Sequence, residues 1–196
     1  MATRMTKPKA APGLLQLHIE LKEIKPKVWR RVLVPETITL QGLHAVIQAA
    51  FGWSGGHLHE FEAAGQRYGG SDPDYDAPGS VGSERTRLTK AMTRSGTIDY
   101  VYDFGDYWQH RVKLEKALPA TPATPALKLP LCMAGANAAP PDDCGGTPGY
   151  MDFVQAMADP QHEEHEDMTA WIGRDSWDAA AFDIDHVNSW LAEIKL

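Results

Sequence analysis

Gly56-His57-Leu58-His59-Glu60 sets two imidazoles two residues apart. On a strand, such a pair leaves the same face and can enter one metal's coordination sphere. The pair needs a third ligand from another segment. The run Tyr102-Asp103-Phe104-Gly105-Asp106-Tyr107-Trp108-Gln109-His110 offers His110 with Asp103 and Asp106. His57, His59 and His110 are therefore the candidate ligands of a divalent cation, with Asp103 or Asp106 as a further ligand or general base. The competing reading is structural, with one histidine hydrogen-bonded in the core and the other at the surface. Asp103 and Asp106 straddle Gly105, so their carboxylates either share one cation-sized space or cap the N–H groups of a turn. Asp103-Phe104-Gly105 spells the kinase magnesium motif. No glycine-rich phosphate loop, lysine strand or His-Arg-Asp loop accompanies it, which excludes a kinase.

Pro140-Pro141-Asp142-Asp143-Cys144-Gly145-Gly146-Thr147-Pro148-Gly149-Tyr150 runs into a helix start. Exposed N–H groups there favour an anion, unless Asp142, Asp143 or Thr147 caps the helix itself. Cys144 is either a nucleophile or ligand, or a packed thiol. Lys25, Lys27, Arg30 and Arg31 around Trp29 suit a phosphate backbone or an acidic peptide. Strand alternation divides them, however, with Trp29 and Arg31 on one face and Arg30 on the other, and pairing with C-terminal acids competes. His162-Glu163-Glu164-His165-Glu166-Asp167 matches neither zincin spacing and reads as a solvated helix start.

These groups need a scaffold. Leu15, Leu17, Ile19 and Leu21 alternate with polar residues, the period of a half-buried strand, and 28–34 form its hairpin partner before Pro35. Leu40, Leu43, Val46, Ile47, Ala50 and Phe51 fall at helical spacing behind Thr39 as N-cap, and Gly52 closes the helix. A third strand is expected over 57–62 and a long surface loop over 65–83. A second hairpin is expected from 98–104 and 108–115, followed by a proline-rich crossing at 117–130. Helices are expected from Pro148, over roughly 162–172 and over 185–194, the last capped by Asp185. The sum is an α+β domain over 14–196: a mostly antiparallel sheet of two hairpins plus a strand, one early helix and a C-terminal helical layer. Residues 1–13 read as a flexible arm.

The 196 residues are 43% apolar and 23% charged, an ordinary globular composition that excludes disordered, collagen-like and coiled-coil chains. No run of about 18 apolar residues marks a membrane span. Two cysteines and a start without an apolar signal core point to the cytoplasm. The net charge of -7 argues against a protein that simply coats nucleic acid. Charge is uneven: residues 1–34 carry eight Lys and Arg against two glutamates, and 140–196 carry thirteen Asp and Glu against Arg174 and Lys195. Either the two ends neutralise one another, or a basic surface awaits a partner.

IKPKVWRRVLVP, LHAVIQAAFGW, HLHEF, YVYDFGDYWQH and PPDDCGGTPGY occur in that order. Together they resemble the plasmid pRiA4b ORF-3-like family, also called transposon-associated TnpR-like, over about residues 14–195. The resemblance implies one α+β domain and a mobile-element setting, and it brings no catalytic residues with it. The chain lacks the serine-recombinase pattern, so recombinase chemistry is not carried over. The expected function is an accessory or binding protein engaging a protein or a nucleic acid. The alternative is a metal-dependent hydrolase or related enzyme using the His/Asp cluster. In either case HLHEF, the Asp103–His110 hairpin and the Asp142–Cys144 loop are expected to converge on one concave site walled by Tyr102, Trp108 and Tyr150. Clustering would let these polar groups satisfy one another or a ligand.

Overall fold

A computed structural model describes residues 13–69, 81–92, 94 and 96–196. The expected N-terminal arm lies almost wholly outside the described residues, as do 70–80 of the expected 65–83 loop. The hairpin strands β1 (Leu14–Leu21) and β2 (Trp29–Pro35) precede helix α1 (Leu40–Phe51). Next come β3 (His59–Ala63), β4 (Gln66–Gly69), the two-residue β5 (Val81–Gly82) and the single-turn α2 (Leu88–Ala91). The hairpin β6 (Thr97–Tyr102) and β7 (Trp108–Leu118) leads through a 3-10 turn at Thr124–Ala126 to β8 (Leu131–Ala136). Helices α3 (Gly146–Ala158), α4 (His165–Ile172) and α5 (Ile184–Leu191) follow.

The strands form one sheet in the order β5-β4-β3-β6-β7-β1-β2-β8. It is antiparallel except where β4 meets β5. This is the α+β architecture expected, with more strands. β4 and β5 fall in the segment expected to be loop. β8, whose sequence is LCMAGA, pairs with β2. Its Gly and Ala carry little β-propensity, so tertiary pairing rather than local preference makes it a strand.

Alternation decides which face is buried. Leu15, Leu17, Ile19 and Leu21 of β1 are at most 2% exposed and join Val32, Val34, Ile98, Tyr100, Tyr102 and Val112 in the core. On the other face His18 stacks on Trp29 at 5.1 Å, and Arg31 forms a two-pronged ion pair with Glu115 at 2.6 and 2.8 Å. That pairing and a third hydrogen bond, donated by Gln16, hold the Glu115 carboxyl down at about 2. α1 lays Leu40, Leu43, Val46, Ile47 and Phe51 into the same core. Thr39 caps it by accepting from Gly42 N, and Gly52 ends it in the left-handed region at φ 76°. Thr39→Ala is expected to cost about 1 kcal/mol in chemical denaturation, the usual value of a lost N-cap. α5 is capped by Asp183, which accepts from Asp185 N and His186 N, not by Asp185.

Candidate functional site

Beyond the paired ends of β3 and β6, three connections meet. Asp103 N donates to Leu58 O at 2.9 Å, which ties the β6–β7 turn to the segment entering β3. Trp53 Nε1 donates to Pro140 O, and Ser54 donates through N and Oγ to Asp142 Oδ2 at 3.0 and 2.7 Å. Gly145 N donates to Asp106 Oδ2 at 3.1 Å. The 140–146 loop is thereby fastened both to the α1–β3 connection and to the β6–β7 turn. Gly146, at φ 69°, is required there, because a Cβ would stand 2.5 Å from Asp106 O.

At this junction His57 Nε2 lies 2.8 Å from Asp143 Oδ1, and Nδ1 lies 3.8 Å from Asp103 Oδ2. One ligand atom from each of His57, Asp103 and Asp143 falls within 4.8 Å of the others, and these three are the group among the described residues that could hold a metal ion. Asp103 divides its work: Oδ1 accepts from Gly105 N and, more weakly, from Asp106 N, while Oδ2 faces His57. Asp103 and Asp143 both hold left-handed φ, 55° and 60°. Asp tolerates that region better than most residues, because its short side chain bonds locally. The Tyr102 ring backs His57 edge-on at 5.7 Å and stacks on Trp53. With Asp106 and Asp142 nearby, the corner carries four carboxylates, and no Lys or Arg is ion-paired to them among the described residues. Its field favours a cation.

The other expected ligands are elsewhere. The strand starts at His59, so His57 lies in the preceding bend and the two-residue alternation does not bind the pair together. His59 instead stacks on His44 of α1 at 3.6 Å. His110 is fully buried, with Nδ1 3.2 Å from Trp108 O and the ring edge-on to Phe51 and Trp53. Burial pushes His44 and His110 down to about 3 and His59 to about 4, His44 also feeling His59. At neutral pH all three are neutral, His44 and His110 buried in the core and His59 partly buried beside His44. Tyr100 joins them, its hydroxyl 2.7 Å from His44 Nδ1 and accepting from Gln48. Sequence reasoning passed over His44, although its place between Leu43 and Val46 on the apolar stripe of α1 was the available signal.

Trp108 is core, 1% exposed and stacked on Trp53. Tyr150 is buried against Phe153 and borders a different cleft with Ile24 and Val28. Cys144 is half-buried, and its thiol is pushed up to about 12 by burial and by Asp106, Asp142 and Asp143, so it is no nucleophile at neutral pH. The start of α3 is met by the chain's own Asp106. The four basic residues do not make a stripe. Arg30 is 3% exposed, Arg31 is held by Glu115, Lys27 pairs with Glu20 at 2.8 Å, and Lys25 stands exposed. The neutralising acids of Arg31 and Lys27 come from β7 and β1, not from the acidic C-terminal segment. In that segment His165 Nδ1 lies 2.7 Å from Ala156 O, and no metal group forms there among the described residues.

The model of the plasmid pRiA4b ORF-3-like proteins matches residues 13–186. An uncharacterized protein y4hQ of Sinorhizobium fredii is 37% identical over 178 residues, 90% of this chain and 89% of that one. The crystal structure of a protein of unknown function, MM3350, from Methanosarcina mazei Go1 is similar with a TM-score of 0.78 and 36% identity, covering 89% of this chain and 97% of that one.

Proposed function

This chain belongs to the plasmid pRiA4b ORF-3-like family, and from that premise we propose that it is an accessory binding protein of a mobile element whose site holds a divalent cation on His57, Asp103 and Asp143. The observation that carries the reading is the convergence of those three ligand atoms within 4.8 Å, from three separate segments, in a corner rich in carboxylate. One imidazole and two carboxylates suit zinc or manganese. The plasmid in the family's name supports the mobile-element setting. The dispersal of Arg30, Arg31 and Lys27 into the core and into ion pairs supports a protein partner over nucleic acid. Among the described residues no helix is long and apolar enough to cross a membrane.

Addition of Zn2+ or Mn2+ to chelator-treated, untagged protein is expected to raise the melting temperature. The gain at a hundredfold excess over Kd corresponds to about 2.7 kcal/mol. Asp143→Asn and His57→Ala are expected to abolish that rise while leaving the metal-free melting temperature within a few degrees, because Asp143 is exposed and His57 partly so. No metal-induced rise in the unaltered chain would overturn the reading. The same cluster also fits the hydrolase alternative: three protein ligands would leave coordination positions open, and a divalent cation held there would supply a water of lowered pKa. Turnover of bis-p-nitrophenyl phosphate or p-nitrophenyl acetate by the metal-loaded protein, lost in Asp143→Asn, would establish it. Metal binding without turnover of either would leave the binding role.

A further inference from the structure

A cleft of about 480 Å3 opens between the end of α1, the 138–142 segment and α4–α5, and the cation site makes no use of it. Arg30 lines it. Three of the five guanidinium N–H groups go to main-chain carbonyls: Nε donates to Ala50, and Nη1 to Trp29 and Ala136, at 2.8–3.0 Å. The two on Nη2 have no partner among the described residues. Phe51 and Phe182 flank the guanidinium at 5.2 and 4.5 Å from their centroids. No carboxylate lies within ion-pairing distance of it among the described residues, although Arg30 is only 3% exposed. Burial lowers its pKa to about 10, which leaves it charged at neutral pH. Buried charges are ordinarily paired, so a guanidinium with no carboxylate partner, lining an open cleft, is suited to receive an anion.

The mouth of the cleft points to the rest of the ligand. Trp171 and Trp190 both border it and are 47% and 41% exposed. Tryptophans are highly buried on average, and two left open at one cleft make an aromatic platform. Arg174 adds a second cation. The charge balance limits the anion. Asp142 borders the same cleft with a buried, unpartnered Oδ1, and Asp183 is there as well, committed to its helix cap. These carboxylates oppose a dianion such as a phosphate monoester and tolerate a monoanion.

We propose that this cleft binds a small aromatic monocarboxylate, its carboxylate received by Arg30 and its ring laid against Trp171 and Trp190. The site is separate from the cation cluster, and either can fail without the other. The test is calorimetric titration of the full chain with four probes: 1-naphthylacetate, its neutral analogue 1-naphthylacetamide, acetate, and 1-naphthyl phosphate. Naphthylacetate is expected to bind one-to-one, with the amide and acetate each at least tenfold weaker and the phosphate ester weaker than the acid. Trp171→Ala, at a half-exposed position whose ring also meets Phe153 edge-on at 5.8 Å, is expected to weaken naphthylacetate about fivefold or more while the chain still unfolds in one cooperative transition. The proposal is overturned if naphthylacetate does not saturate, if the amide or acetate binds as tightly, if the phosphate ester binds more tightly, or if Trp171→Ala leaves affinity unchanged.

Discussion

Acidification from pH 7 to pH 5 is expected to remove about 4 kcal/mol of folding stability through His44 and His110 alone. Both are buried and hold folded pKa values of about 3 against an ordinary 6.5. Below pH 6.5 the unfolded chain takes up protons that the folded chain refuses, so stability falls as pH falls. The loss begins near 6.5, grows by up to about 1.4 kcal/mol per pH unit for each histidine, and levels off only near the folded values. His59, at about 4 and stacked on His44, acts in the same direction. The carboxylates held down by partners, Glu115 and Asp99, enter only below the ordinary carboxylate range and leave this window to the histidines. Urea denaturation at half-unit steps from pH 7.5 to 5 measures the effect. The midpoint is expected to be nearly flat above pH 7 and to fall steeply below 6.5, with the slope reduced by His110→Leu. A midpoint unchanged between pH 7 and pH 5 would mean that these imidazoles are protonated and paired in the folded chain.

Trp108→Ala is expected to cost about 3–5 kcal/mol, the range for deleting a large aromatic from a core. The indole is 1% exposed, stacks on Trp53 at 5.9 Å and pairs across the hairpin with Tyr102. Trp108→Phe keeps an aromatic ring and removes a buried N–H that lacks a partner, so about 1 kcal/mol is expected there. Denaturant midpoints of both variants decide the matter. A loss below about 1 kcal/mol for the alanine variant would return Trp108 to the wall of an open site, where the sequence alone had put it.

The strands of the sheet's centre were legible because one face is buried and the other wet. Leu15 to Leu21 alternate cleanly, and the Thr39-to-Gly52 helix carries its cap, stripe and stop in its own residues. β8 was not legible, because Leu131–Ala136 has neither alternation nor β-branched residues and is a strand by virtue of pairing with β2. The candidate site was half legible. The segments around His57, Asp103, Asp106, Asp142 and Asp143 were chosen for their density of polar groups, and the fold ties them together through Trp53, Ser54 and Gly145. Which histidine faces which acid was not legible. It depends on β3 starting at His59, a boundary set by pairing with Tyr102 rather than by the residues themselves. Arg30 shows the same limit. Alternation put it on the face opposite Arg31 without showing that this face is the core.

A divalent cation held by His57, Asp103 and Asp143 would be visible in anomalous diffraction from crystals grown with Zn2+. Data collected on both sides of the zinc edge are expected to give a peak about 2.0–2.2 Å from one nitrogen of His57 and from a carboxylate oxygen of each aspartate. No peak at that position under saturating zinc, with His57 still bridging the two carboxylates, would contradict it.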